Sequence, residues 1–460
     1  MNEKLKVAVV GGVACGPKAA SRLMRLRPEC EVTMVDRGRL ISYGACGLPY
    51  FVEGAFPDVD MLVETPAGVP RTPEFFEKTK GFKCLVRTEA VRIDRAGKTV
   101  LLRNLDTGSE TELPYDKLVL AAGSRPVQPP VPGLDLKNVW TMRHPDDASS
   151  MVERIESEGL KTAVLIGAGY IGVEMAEALT RRGLKVTMVE AFDQIMPQFL
   201  DREMALLAGK HLHNKGVSLA LAEKVTALEG NGKVAAVRTD RRAIPADLVV
   251  VGVGVRPNDE LAREAGLACA PKGGIVVDEN CLTSDPDIYA GGDCVVNSTT
   301  GPNPGGRLFV PLGSTSNKHG RVIANHIAGI PTPFPGISAT GVCRAFDYTL
   351  ARTGLTEKQA RESGLDVESA VWAGPDMPHY IPGSKPLIVK MIASRSSRKL
   401  LGVQLVGPGN VSRRLDVAAS ALYFHSTVDD VGNIDLGYAP PYSSPIDAIA
   451  ATAHLLANKL

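Results

Sequence analysis

Two stretches of this chain repeat one pattern, and that pattern limits what the rest can fold into. KVAVV runs into the glycine turn GGVACG, a helix-like stretch from Pro17 to about Arg27, and then EVTMVD, ending on Asp36. Further along, AVLI runs into GAGYIG, a stretch with apolar residues at helical spacing, and then KVTMVE, ending on Glu190. Each reads as strand, tight turn, helix, strand, the βαβ unit of a parallel sheet. A repeat of this size duplicates a whole nucleotide-binding module and is no solenoid unit. The pattern predicts an α/β chain with two Rossmann-like dinucleotide-binding domains.

The glycines have separate duties in such a turn. The first permits the sharp bend, the second lets the backbone approach a pyrophosphate, and the third lets helix and strand pack closely. The helix N-terminus then faces the phosphate charge. Gly167, Gly169 and Gly172 fill all three places, and Glu190 ends the strand after the helix, where a carboxylate accepts hydrogen bonds from a ribose diol. An acid there repels a 2′-phosphate, so NADH is expected over NADPH, with NADPH left open. The first loop keeps Gly11, Gly12 and Gly16 and places Val13 where the second glycine would stand, and Asp36 takes the position equivalent to Glu190. Two dinucleotides in one chain imply a flavin that stays and a nicotinamide that comes and goes.

The rest of the chain narrows the setting. Basic and acidic residues number 52 and 51, which gives no electrostatic reason for a nucleic acid or an anionic membrane as partner. The apolar run Val7 to Val10 stops at Gly11, too short for a signal peptide, and no apolar window long enough to span a bilayer occurs. Eight cysteines lie scattered without CxxC spacing, which argues against a metal site and against a secreted disulfide framework. A cytoplasmic protein is expected. Residues 88–111 read as antiparallel strands, GIPTPFPGISATG as a linker, and the remainder alternates strand-like segments such as PLIVKMIA and LLGVQLVG with helical ones, a third α+β unit.

IYAGGDC, LVLAAGSRP and LVVVGVGVRPN, in this order relative to the two glycine loops, give the chain its likeness to a known family. The sequence resembles the pyridine nucleotide-disulfide oxidoreductases along essentially its whole length. The resemblance implies FAD in the first loop, with Asp293 on the ribityl chain and the following helix aimed at the flavin. It implies NAD(H) in the second loop, with Glu174 near the nicotinamide and flavin rings, and two crossover strands between the units. The expected domains are FAD-binding at 1–124 and 259–329, NAD(H)-binding at 125–258, and C-terminal dimerisation at 330–460.

ISYGACGLPYF holds one cysteine, Cys46, where the glutathione reductase branch has two. A lone redox cysteine cycles through a mixed disulfide with a small thiol or through a sulfenic acid. It must react as a thiolate, so a positive field such as a helix N-terminus is expected beside it. The segment resembles the single-cysteine branch: coenzyme A-disulfide reductases, persulfide reductases, NADH oxidases and NADH peroxidases. Ala14 stands where the oxidases and peroxidases usually carry a histidine. Tyr438 in GYAPPYSSP matches a tyrosine that reaches the other subunit's cysteine in the coenzyme A-linked members, and Tyr380 matches a second one beside it. Tyr442 reads as packing. Ser42 and Arg22 are the expected substrate-binding residues, with Lys18, Arg25, Arg307 and Lys318 as further phosphate candidates, and Tyr50 replaces a lysine of the two-cysteine branch. The chain ends soon after the YAPP segment, so no rhodanese domain is expected.

The resemblance therefore implies a homodimeric FAD enzyme that reduces coenzyme A disulfide, coenzyme A persulfide or a related disulfide through Cys46. An NADH oxidase or peroxidase working through a sulfenic acid is the alternative within the branch. A flavin-bearing redox sensor with negligible turnover is the alternative of another class.

Overall fold

The computed structural model describes residues 4–300 and 306–460. Strand Lys6–Val10 pairs in parallel with Glu31–Val35 on one side and Lys117–Leu120 on the other, and Lys83–Leu85 and Ile288–Ala290 complete a five-stranded parallel sheet. Side chains alternate across it, as a pleated strand requires. Val7 and Val9 meet helices Cys15–Leu26 and Gly313–Ile327 on one face, while Ala8 meets the antiparallel strands Thr88–Asp94, Thr99–Asn104 and Glu110–Pro114 on the other.

The second βαβ unit builds the same object again. Thr162–Ile166 lies between Lys185–Glu190 and Leu248–Val251, with Ser218–Leu221 and Val139–Trp140 at the edges, all parallel. Ala163 and Leu165 face helices Tyr170–Arg181 and Pro145–Ser157, whereas Val164 and Ile166 face the small antiparallel sheet of Val225–Asn231, Lys233–Thr239 and Ala243–Pro245. The two crossover segments pair antiparallel as Ser124–Pro126 and Val255–Pro257. The first sheet takes its edge strand, Ile288–Ala290, from beyond this ribbon; the second takes Val139–Trp140 from the segment just after the first crossing.

The C-terminal unit is a five-stranded antiparallel sheet in the order Gly341–Ala345, Tyr348–Gly354, Leu400–Gly407, Pro386–Ser394, Val367–Pro375. Helices Val411–Tyr423, Val428–Gly432 and Ala448–Ala457 cover one face. The other joins the unit built on the second βαβ element, where Lys390 is buried between Asp201 at 3.0 Å and Glu357 at 2.9 Å. One apolar core runs through the junction of all three parts: Leu48, Phe51 and Val52 from the cysteine helix, Val173 and Leu179 from the second unit, and Cys343 and Val406 from the third.

Two details differ from the sequence reading. The first helix begins at Cys15, since the proline at its third position needs no amide partner. After Asp293 the chain runs into strand Val295–Ser298, and the helix expected there starts only at Gly313. Among the described residues no helix is long and apolar enough to cross a membrane, and no group of His, Cys, Asp and Glu is placed to hold a metal.

Candidate redox site between two glycine cradles

The two cradles share one hydrogen-bond pattern. Gly11 and Gly167 take positive φ of 111° and 101°, and their amides donate to Val35 O and Val189 O, each at 2.8 Å. The next amide in each loop donates to the acid ending the second strand: Gly12 N to Asp36 Oδ2 at 2.6 Å, Ala168 N to Glu190 Oε2 at 2.8 Å. The other carboxylate oxygen accepts from the residue two further on, Gly38 N at 2.7 Å and Phe192 N at 3.0 Å. An added Cβ at Gly16 would sit 1.9 Å from Gly11 O, and one at Gly172 would sit 2.1 Å from Gly167 O, so the third glycine of each loop is required by packing. Gly169 differs: a Cβ there meets nothing of the protein within 4 Å, so the protein's own packing does not require that glycine. A pyrophosphate seated on a loop of this kind needs the backbone bare at that position.

Cys46 is held against the first cradle. Ser42, at φ 54°, donates its amide to Gly12 O at 2.7 Å, and its own carbonyl accepts from Arg71 Nη1 at 2.6 Å. Gly44 N donates to Leu62 O, and Gly47 N to Gly44 O, which forms the short turn Ala45–Gly47 that leads into helix Leu48–Glu53. Burial of Leu48, Phe51 and Val52 anchors this helix in the shared core and leaves Cys46 exposed at its head. The other seven cysteines are buried or half-buried; Cys294 donates to Leu120 O and Gly291 O as an interior thiol does.

Two carboxyls face the cysteine, one from each half. Asp293 accepts from Ser316 Oγ at 3.1 Å, on the first turn of helix Gly313–Ile327, and burial pushes its carboxyl up despite Ser316 and Arg143. Glu174, on helix Tyr170–Arg181, is pushed by burial to about 7, against the opposing charge of Arg344 and a hydrogen bond with Tyr50. Tyr50 itself rises to about 12, through burial and then the charge of Glu174. Partial burial, Glu174 and Asp293 together push the Cys46 thiol up, countered only by a backbone hydrogen bond. The positive field expected at Cys46 is therefore not supplied by the protein's side chains; thiol and carboxyls are all biased toward holding protons. Groups perturbed in this way collect where chemistry needs a specific protonation state.

The sequence pattern of the family described as "Pyridine nucleotide-disulphide oxidoreductase" matches residues 5–318, and that of its dimerisation domain matches residues 342–449. The chain belongs to the pyridine nucleotide-disulphide oxidoreductases. Members of this family use FAD and NAD(P)H, and the two cradles fit such groups. The chain is 36% identical over 455 residues to a protein of Pyrococcus horikoshii named NAD(P)H coenzyme A polysulfide/persulfide reductase, covering 99% of both. It superposes on an NAD-dependent persulfide reductase from A. fulgidus with a TM-score of 0.96 and 41% identity, covering 99% of this chain and 83% of that one. An NADH oxidase of Methanocaldococcus jannaschii is 32% identical over 458 residues, with 99% of both covered.

Within this oxidoreductase, Gly11, Gly12, Gly16 and Asp36 form one cradle and Gly167, Gly169, Gly172 and Glu190 the other, while Glu174 and Asp293 both act on Cys46 through their charge. Ser42 adjoins the cysteine turn. Arg22 is half-buried, its Nε held by Asn325 Oδ1 at 2.9 Å. Lys18 is half-buried; Arg25, Arg307 and Lys318 are exposed. Ala14 is the last residue before the first helix. Tyr438 and Tyr380 stand 49% and 62% exposed on the C-terminal unit, and among the described residues neither shares a hydrogen bond or ring contact with Cys46. The sequence reading missed Arg71, which lies well past the cysteine helix in the chain, and Arg143, whose charge acts on Tyr43 and Asp293. It also missed Arg344. Nothing local marks any of the three, because each reaches the site through a long-range contact.

Proposed function

We propose that this oxidoreductase reduces coenzyme A disulfide, coenzyme A persulfide or a closely related small disulfide, with Cys46 as its redox sulfur. The observation that carries the reading is Cys46 itself: one exposed thiol at the head of a buried helix, facing acids from both dinucleotide units, with no second cysteine in its turn. The names of relatives along the full chain length support the substrate class.

When bound, the nicotinamide supplies a hydride and the flavin relays the electron pair to sulfur. The chain's own residues do the rest. Cys46 Sγ, as thiolate, attacks a substrate sulfur, forming a mixed disulfide and expelling the other sulfur as thiolate or hydrosulfide. Two electrons and one proton then return Cys46 to thiolate and release the bound thiol. Tyr438, from the other subunit of a homodimer, is placed by this reading to donate a proton to the leaving sulfur, with Tyr380 beside it. Exposed aromatic and apolar residues concentrated in the C-terminal unit, Tyr423 and Phe424 among them, support that dimer. Arg71, which donates to Ser42 O, supplies a cation beside the cysteine turn for a phosphate-bearing thiol, and this reading assigns Arg22 on the first helix to the same substrate. Glu190 favours NADH, and eight free cysteines suit a reducing, cytoplasmic setting.

The test is NADH consumption under strict exclusion of oxygen, with coenzyme A disulfide and coenzyme A persulfide offered separately and Cys46→Ser run alongside. Turnover lost in the variant supports the reading. The second reading, an NADH oxidase, is favoured by the 32% identical relative of that name; turnover that begins only on admitting air would select it.

A further inference from the structure

A buried histidine that the sulfur chemistry above leaves unused grips the turn bearing Asp293. That turn, residues 291–293, follows strand Ile288–Ala290 and packs directly on the start of the first cradle's helix. A Cβ added at Gly291 would sit 2.8 Å from Cys15 Sγ and 2.9 Å from His319 Cβ, and one at Gly292, where φ is 80°, would sit 3.2 Å from Cys15 Cβ. His319 is 1% exposed, one turn past Ser316 on helix Gly313–Ile327. Its Nδ1 accepts from Gly292 N at 3.1 Å, while Ser316 Oγ donates to Asp293 Oδ1, also at 3.1 Å. Phe334 packs against the imidazole in T-shaped geometry, ring centroids 4.5 Å apart. An amide N–H can only donate, so Nδ1 must be bare and the neutral ring carries its proton on Nε2. Two side chains one turn apart thus hold two successive residues of the turn.

We infer that His319 is a positioning residue of the flavin site: as the neutral acceptor of the Gly292 amide it holds, with Ser316, the turn that presents Asp293 to the flavin, and protonation of its ring releases that turn and the FAD. The inference rests on Asp293 meeting the flavin, as the family resemblance implies. A protonated ring turns Nδ1 into a donor aimed at another donor, so the Gly292 contact cannot survive it. The titratable groups packed around the ring are Asp293 and Cys15 at the turn, and Lys18 on the first helix, whose Cβ would lie 2.8 Å from a Cβ at Gly320. Lys318 and Arg321 flank it on its own helix, and Glu279 O accepts from Phe334 N at 2.6 Å. Burial pushes the imidazole down to about 4. Since the held ring takes its proton below the ordinary value of about 6.5, acid favours the released turn. FAD retention is therefore complete above about pH 6.5 and weakens as pH falls toward 4, by at most about tenfold per pH unit.

The test is FAD release from purified holoenzyme, measured as flavin absorbance in an ultrafiltrate across the range from neutral pH to about pH 4.5, with far-UV circular dichroism recorded in parallel. The unaltered protein is expected to release FAD progressively below about pH 6.5 while its circular dichroism holds. His319→Asn supplies an oxygen that accepts from the Gly292 amide and does not titrate; it should retain FAD at neutral pH and lose the acid limb. His319→Leu fills the space without an acceptor, and stranding the buried amide should weaken FAD retention by ~10-fold already at neutral pH. A purely structural role would weaken both variants and leave the acid limb in place. An acid limb that persists in His319→Asn, FAD retention undiminished in His319→Leu, or release in the unaltered protein that only accompanies loss of circular dichroism overturns the inference. If His319→Leu fails to fold, the acid limb of His319→Asn decides. Asp293→Leu is read separately. Should it keep its FAD, the reading of Asp293 falls and this inference with it; should it lose FAD while the His319 variants behave as the unaltered protein, the part given to His319 alone is refuted.

Discussion

Asp447→Asn tests how the loops bearing Tyr380 and Tyr438 are held. Asp447 is 5% exposed and caps helix Ala448–Ala457 by accepting from Ile449 N at 3.0 Å. It also accepts from Arg414 Nε at 3.0 Å, Arg413 Nη2 at 2.9 Å and Ser443 Oγ at 2.8 Å. Arg414 is buried and donates from its other nitrogens to Asn410 O at 2.9 Å and Asp376 O at 2.8 Å. One ion pair therefore ties the segment after Asp376, which leads to Tyr380, to Ser443, which follows Tyr438. Burial alone would raise the Asp447 carboxyl; Arg414, the Ile449 amide and Ser443 reverse this and leave it below its ordinary value.

Asparagine preserves the cap, since it is as good an N-cap residue as aspartate, so the substitution isolates the charge. Stranding a buried arginine costs about 3–5 kcal/mol. The two carbonyl contacts of Arg414 survive, which places the expected loss near the lower end, about 3 kcal/mol. In a chain of several domains a global unfolding free energy is not well defined, so the assay is native-state hydrogen exchange of the amides in Ala448–Ala457. A loss of about 3 kcal/mol accelerates their exchange by ~10²-fold. NADH-driven flavin bleaching should be unaffected, while thiol-sulfur turnover falls with the order of the tyrosine loops. The double variant Arg414→Met with Asp447→Asn should recover much of the protection, because it keeps the cap and removes the stranded charge. Exchange within threefold of the unaltered protein in Asp447→Asn would refute the argument that this pair holds the loops.

Three further outcomes are expected. Gly169→Ala should leave stability unchanged within about 0.5 kcal/mol, because φ there is −81° and the new methyl meets no protein atom; NADH affinity should nonetheless fall measurably in a binding titration, whereas Gly172→Ala should destabilise the fold itself. Glu190→Gln should narrow the ratio of kcat/KM for NADH over NADPH, and an unchanged ratio removes Glu190 from cofactor choice. Glu357 would be raised by burial, but Lys390, Arg361 and Ser369 hold it at about 2. With the folded value below the unfolded one, its contribution to stability is present above pH ~4.3 and is lost as pH falls toward 2. Lys390→Met should flatten that acid limb in a stability-against-pH series.

What the sequence disclosed and what it hid divide along contact distance in the chain. The glycine loops, the acids that end the second strands and the exposed cysteine were readable because their constraint is local: Gly11 and Gly167 need positive φ, and Gly16 and Gly172 leave no room for a Cβ. The antiparallel strands expected at 88–111, which run from Thr88 to Pro114, followed from the same short-range patterning. Arg344 with Glu53 and Glu177, or Lys390 with Asp201, could not be read, since partners drawn from different units of the chain carry no mutual signal in one sequence. The carboxyls that push the Cys46 thiol up were hidden for a related reason: Glu174 and Asp293 arrive from distant parts of the chain, and neither charge is visible from the ISYGACGLPYF segment.

The near-identity of the two cradles makes their differences informative. In both, a residue at positive φ returns its amide to the loop carbonyl: Ser42 to Gly12 O at 2.7 Å and Met196 to Ala168 O at 2.8 Å. Past that point the copies diverge. After Ser42 comes the cysteine turn; after Met196 the chain simply enters helix Arg202–Asn214. The first sheet gains edge strand Ile288–Ala290, whose continuation brings Asp293 to the mouth of its cradle, and helix Gly313–Ile327 packs along helix Cys15–Leu26 so tightly that a Cβ at Gly320 would sit 2.5 Å from Cys15 O. The second sheet gains only the short edge strand Val139–Trp140, and its loop stays open at Gly169. One copy of the duplicated fold thus carries a cysteine turn, a later edge strand leading to Asp293 and a second helix packed on its first, and the other copy lacks all three.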